Sequence, residues 1–277
     1  MQTIDRHDFD KATADAAAER IAKEVLDLRE RIETDRATVA RLLELSLDEA
    51  GHLAATDPAA AWLDTYVAFG RAMQAGCALF LLTTGSGRVE FRIEDEVRHS
   101  TAGPIDGADL SAWTTATYLS IVCRERQRTA ALAEVDLDSL RTTTDEYPRR
   151  WAGVLRTYCN RGEGLIDQLL DAMQATEPES LREIDPQRAL KLDFPVMELF
   201  YRLTQRDADG FNESLAKALE LHKEYWSARP GDPRGAIALG PLAVACLARQ
   251  SRIWVEVESA YLPNILLTAD RVGEVTL

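Results

Sequence analysis

Residues 237–263 read IALGPLAVACLARQSRIWVEVESAYLP, and the reading of this stretch decides the fold. Ile237 to Leu247 is almost wholly apolar, interrupted only by Gly240 and Pro241. A helix without a polar face belongs inside a core. A short polar turn, Arg249 to Arg252, then leads to a strand-like run, Trp254 to Glu258. Strand side chains alternate, so Val255 and Val257 share one face while Trp254, Glu256 and Glu258 share the other. Tyr261-Leu262-Pro263 ends the regular structure.

Working outward, helical spacing dominates the chain. Ile21, Val25, Leu28 and Ile32 form one apolar stripe, and Val39, Leu42, Leu43, Ser46, Leu47 and Ala50 form a second. Trp62, Tyr66, Phe69, Met73, Gly76 and Phe80 mark a third helix. Leu110, Trp113, Thr117 and Ile121 mark a fourth, and Phe211, Leu215, Ala218, Leu219, His222 and Trp226 a later one. Each stripe faces a core. Asp57-Pro58, Asp185-Pro186 and Asp232-Pro233 each place a capping carboxylate before a proline that has no N–H to lose, the pattern of a helix start.

Two places break the helical pattern. Val89, Phe91 and Ile93 alternate with Arg88, Glu90 and Arg92, and Val97 follows a Glu-Asp-Glu turn; this predicts a hairpin over 87–100, although the turn lacks the usual Asn-Gly or Asp-Gly. Pro195 lies within the apolar helical run Ala189 to Leu203, where it removes a backbone hydrogen bond, so the helix is expected to kink or restart there. The segments 146–159 and 163–175 read as an antiparallel helical pair. No fixed-period repeat and no Ser/Gly/Pro linker divides the 277 residues, so the expectation is one mostly α domain over 1–277, a bundle or solenoid of about ten helices with one small hairpin.

Composition narrows the function. With 46% hydrophobic and 28% charged residues the chain can bury a core. Its net charge of −14 disfavours nucleic acid, whose phosphates it would repel, and favours a basic partner. The N-terminus lacks an apolar signal core, and no run reaches the roughly 18 continuous apolar residues of a membrane span, so a cytoplasmic protein is expected. Cys77, Cys123, Cys159 and Cys246 are widely spaced in apolar helical patterns, which predicts buried, reduced thiols. His7, His52, His99 and His222 show no metal-ligand spacing; His222 reads as the boundary of an amphipathic helix. Gly85-Ser86-Gly87 is too short for a phosphate loop, and no nucleophile elbow occurs. No cofactor, metal or catalytic set is expected.

Acidic residues are the more informative feature. Glu163, Asp167 and Asp171 recur four apart, opposite Leu165, Ile166, Leu169, Leu170 and Met173. Like charges at this spacing cost a helix roughly 0.2–0.5 kcal/mol per pair. The acid continues through Glu177, Glu179, Glu183 and Asp185, giving seven acids against one base, Arg182, between Glu163 and Asp185. This stripe reads as a solvated face or as a docking surface for basic residues; it points away from any interior where a helical bundle would hold a metal. Trp254, Glu256 and Glu258 form a second candidate contact, read also as a structural element closing the core.

AxxLGPLAVACLA (Ala236 to Ala248) and VEVESxYLP (Val255 to Pro263) resemble the C-terminal signature of the immunity protein 49 family. ELFYRLTQRDADGFNESLAKALELHKEYW (Glu198 to Trp226), LKLDFPVMELF (Leu190 to Phe200) and TATYLSIVCRERQ (Thr115 to Gln127) are similar to its central helices. The resemblance covers about residue 60 to about 267. It implies a non-enzymatic bacterial antitoxin that binds and blocks a cognate polymorphic toxin. Joined to the acidic balance, it points to a basic toxin domain, with a nuclease as the natural candidate. From the residues alone, a helical-repeat adaptor for a host protein or peptide and an enzyme with a carboxylate site stay open. The oligomeric state is not legible.

Overall fold

The computed structural model describes residues 2–273, and it is mostly α. After a short strand β1 (Gln2–Ile4), helices α1 (Lys11–Arg31), α2 (Thr38–Thr56) and α3 (Leu63–Thr84) pack in succession. The hairpin β2 (Arg88–Ile93) and β3 (Glu96–Thr101) follows, then α4 (Leu110–Val122) and α5 (Arg126–Ala133). Helices α6 (Tyr147–Cys159) and α7 (Leu165–Gln174) form the expected pair. A short α8 (Pro186–Arg188), α9 (Phe194–Gln205), α10 (Ala208–Ser227) and α11 (Leu239–Gln250) complete the body, with β4 (Val257–Ser259) and α12 (Asn264–Thr268) beyond it. Neighbours run α3 to α4, α4 to α11, α11 to α9 and α9 to α10. Buried apolar residues from Ile4 to Leu267 form one continuous cluster.

α11 is enclosed as its composition requires: every residue from Pro241 to Ala248 is buried. Its proline sits in the first turn, where a missing N–H costs nothing. A Cβ on Gly240 would lie 2.8 Å from Val196 Cγ2, so glycine allows α9 its close approach. The helix runs further than expected, to Gln250, and Ser251-Arg252 makes the turn, with Arg252 at φ +65°.

The strand after α11 is shorter than the alternation predicts. Only Val257–Ser259 pairs, and it pairs in parallel with β1. The Trp254–Glu256 backbone is held by Gln2 N, which donates to Glu256 O at 3.1 Å, and by a side chain. Asn212 Nδ2 donates to Trp254 O at 2.9 Å, and Asn212 Oδ1 accepts from Glu256 N at 2.8 Å. The alternation itself stands, with Ile253 and Val257 buried and Trp254, Glu256 and Glu258 exposed.

The hairpin forms without a glycine turn, because the core holds its tip. Glu94 takes φ +55°. Gln74 Oε1 accepts from Glu94 N at 2.5 Å, while Gln74 Nε2 donates to Glu94 O at 3.2 Å. The Glu94 carboxylate meets Arg71 at 2.6 Å and Arg29 at 2.7 Å. Arg71 also pairs with Glu49 and donates to Ser46 Oγ at 3.1 Å. Burial still pushes the Glu49 carboxyl up, against the pull of Arg71.

α3 is apolar enough over its length to cross a membrane, but 72% of the relevant window is buried within the protein. Arg71 and Gln74, serving the hairpin, interrupt its apolar run.

Two local expectations, at Asp57 and His222, need correction. Asp57 closes α2 rather than opening α3; its carboxylate accepts from Ala61 N at 3.0 Å, Trp62 N at 2.8 Å and Thr65 Oγ1 at 2.9 Å. Asp185 and Asp232 do cap, the latter a 3-10 turn over Pro233–Ala236. Pro195 meets its expectation: after a π turn over Ala189–Asp193 the α-helix begins afresh at Phe194, with Pro195 in the first turn of α9, where its missing N–H costs nothing. His222 is a core residue rather than a boundary one. It is buried, Nε2 donates to Gly235 O at 3.1 Å, and its ring stands edge-on to Tyr261 at 4.7 Å. Burial lowers its pKa to about 3.

Candidate functional site

The acidic stripe is built on α7 and the loop after it. Asp167 and Asp171 lie on the exposed side of α7, while Leu169 and Ala172 are buried against α6 and α9. Glu163 lies outside the helix. Gly164, at φ +75°, is the N-cap, so Glu163 is exposed one residue ahead of it. Leu170 departs from its expected face and is 48% exposed beside the acids. Glu177 and Glu179 continue the exposed acid around a 3-10 turn, Pro178–Ser180.

Asp145 fixes the loop beyond. Its buried carboxylate accepts backbone N–H groups from Arg182 at 2.5 Å, Glu183 at 3.1 Å and Ile184 at 2.7 Å. Burial opposes its charge, yet these three donors hold its pKa below the usual carboxylate value. Glu183 is engaged by Thr144 Oγ1 at 3.0 Å, so it stands apart from the free acids.

The second feature is the Trp254 segment. Trp254 is 74% exposed. Its backbone is fixed to α10 by Asn212, and Glu256 and Glu258 flank it on the same outer face. Asn212 was not legible as a functional residue in the sequence; an exposed asparagine on an amphipathic helix carries no local signal of what it grips.

The two features rest on different neighbours. α7 packs on α6 and α9, whereas β4 packs on β1 and α10. They share one property. Glu163, Asp167, Asp171, Glu177, Glu179, Glu256 and Glu258 are all exposed, and none makes a side-chain hydrogen bond or ion pair with a described residue. Some other surface acids are paired, Glu224 with Lys191 at 2.7 Å, Asp138 with Arg149 at 2.8 Å and Glu146 with Arg150, while others such as Glu19, Glu213 and Glu220 are also free. The seven free carboxylates can therefore meet an external cation without breaking an internal bond.

Among the described residues, no group of three or more His, Cys, Asp or Glu side chains is placed to hold a metal. The four cysteines are free thiols; burial pushes Cys77 up to about 12 and Cys159 up to about 11, far from the thiolate that reactivity requires.

Comparison with known proteins agrees with the resemblance in the sequence. No curated protein and no solved structure matches the chain. The family model described as immunity protein 49 matches residues 57–266, from just after α2 into α12, and leaves β1, α1 and α2 outside. With well over half of its length matched, the chain belongs to the immunity protein 49 family.

Proposed function

We propose that this protein neutralises a cognate bacterial toxin by binding it one to one in the cytoplasm, without catalysis. Family membership supports an immunity role in general. The observation that carries the contact surface is Trp254, 74% exposed on a backbone clamped by Asn212 and flanked by two free glutamates. An aromatic side chain exposed at a fixed position suits the centre of an interface, where aromatics dominate the binding energy and little order remains to be imposed. The free acids on α7 and its following loop extend the attraction to a basic toxin domain and speed encounter. A nuclease fits that description, since enzymes that grip phosphates carry basic surfaces.

Co-expression with any toxin encoded beside this chain tests the proposal, followed by calorimetry on the purified pair. Neutralisation with a stoichiometry near one supports it. A toxin that stays active and shows no binding rules out the immunity reading.

A further inference from the structure

The hairpin has two edges, and the fold treats them differently. Glu94 and Asp95 alone connect the strands, so Ile93 and Glu96 form a hydrogen-bonded pair. The alternation runs on through Phe91–Arg98 and Val89–Ser100 to Gly87, whose carbonyl accepts Ala102 N at 2.8 Å. The backbone groups of Arg88, Glu90 and Arg92 therefore point away from β3. On β3 the same pattern turns His99 N outward, and the carboxylate of Glu33, just after α1, accepts it at 3.0 Å. On β2 the outward N–H and C=O groups of Arg88, Glu90 and Arg92 meet no partner among the described residues.

A cleft of about 270 Å³ lies beside this open edge. Glu90, Phe91 and Arg92 line it from β2, Cys77 and Leu81 from α3, and Ala131 from α5, and no residue of β3 does. Leu81 is 45% exposed, although α3 is otherwise a core helix. A strand laid against β2 would make the missing ladder and turn alternate side chains toward α3, on the side where Phe91 and Ile93 are buried. Its other side chains would lie on the solvent face, beside Arg88, Glu90 and Arg92.

The charges that guard this edge also select what can join it. Glu90 lies 3.3 Å from His99 across the hairpin. Arg92 Nη1 donates to Asp95 O at 3.1 Å, and neither Arg92 nor Arg88 meets a carboxylate among the described residues. Positions directly opposite these three therefore face a cation, an acid and a cation in turn. Like charges placed opposite destabilise a sheet, and opposite charges stabilise it. We propose that the β2 edge accepts an extended segment of a partner polypeptide as a third strand, with apolar residues alternating with polar ones and acidic residues four apart opposite Arg88 and Arg92. This contact is separate from the acidic surfaces on α7 and around Trp254, and it does not rest on the toxin reading.

The test uses the purified full chain and the end-blocked peptide Val-Glu-Val-Thr-Val-Glu-Val, whose symmetric pattern serves either strand direction, titrated by ligand-observed NMR. Saturable binding is expected with a Kd of about one millimolar or tighter, and about tenfold weaker binding once lysine replaces both glutamates. Glu90→Pro removes an outward N–H that the β2–β3 ladder does not use. It should weaken binding by about tenfold or more, with circular dichroism and Tm checking that the chain is folded. Reversing Arg88 and Arg92 to glutamate should invert the preference, so that the lysine peptide binds more tightly. Absence of saturable binding, equal binding of the two peptides to the wild type, an unchanged Kd in the folded Glu90→Pro variant, or a preference that does not invert would each overturn the assignment. So would a dimer of the chain alone, seen by sedimentation and lost in Glu90→Pro, because a second copy would then hold the edge.

Discussion

The Tyr261 hydroxyl accepts the backbone N–H of His7 at 3.0 Å and lies 2.7 Å from His7 Nδ1. One side chain near the C-terminus thus secures the start of the chain. Tyr261 is wholly buried, and its ring also packs on His222. This contact stands beside the parallel β1–β4 pairing and ties a segment outside the family match to one inside it. Tyr261→Phe keeps the ring and strands the His7 N–H. It should cost about 1–3 kcal/mol, the penalty for an unmet buried donor. Urea unfolding measures it, and an unchanged midpoint would refute the anchoring role.

His222 predicts a loss of stability in acid. Folded, it stays neutral down to about pH 3, because burial opposes its charge. Unfolded, it takes up a proton as pH falls through about 6.5. Its contribution is therefore full above about pH 6.5 and is lost progressively toward pH 3, with a slope of up to about 1.4 kcal/mol per pH unit. His7, also held low chiefly by burial, acts in the same direction. His222→Gln keeps a donor for Gly235 O and removes the titration. Unfolding free energies from pH 7 to pH 5 should fall less steeply in the variant; an identical slope would disprove the assignment.

Arg71 is the hub under the hairpin, and it serves Glu49, Glu94 and Ser46 together. Arg71→Met preserves the aliphatic stem but leaves Glu49 buried without its cation. The expected cost is about 3–5 kcal/mol, the range for breaking a buried pair on one side. Thermal unfolding reports this, and hydrogen exchange should show the β2–β3 amides opening first. A loss within about 0.5 kcal/mol, the range of ordinary surface substitutions, would contradict this account.

For the proposed interface, Trp254→Ala should leave stability nearly unchanged, since the side chain is 74% exposed. It should weaken toxin binding by about 2 kcal/mol or more, roughly thirtyfold. Calorimetry on the complex decides it, and wild-type affinity would remove Trp254 from the contact.

Charge reversal at Glu163, Asp167 and Asp171 separates steering from anchoring. Lysine at all three should slow association by about tenfold at low salt and flatten its salt dependence, with a smaller effect on dissociation. Stopped-flow kinetics at two ionic strengths measures both rates. Unchanged association and salt dependence would exclude the stripe from the encounter.

What the sequence by itself determined is local. Spacing placed the core stripes, marked α11 as enclosed, set the hairpin alternation and put Asp167, Asp171, Glu256 and Glu258 outward. Periodicity and side-chain polarity act over a turn or a few strand residues, and they are written in adjacent letters. The tertiary structure decided the rest. It set Gln74 and Arg71 beneath a hairpin tip that has no glycine, gripped Trp254 from α10 through Asn212 and paired β1 with β4. It also buried His222 against Tyr261. Each of these depends on a partner remote along the chain, so the physical reason for it exists only once the helices have packed.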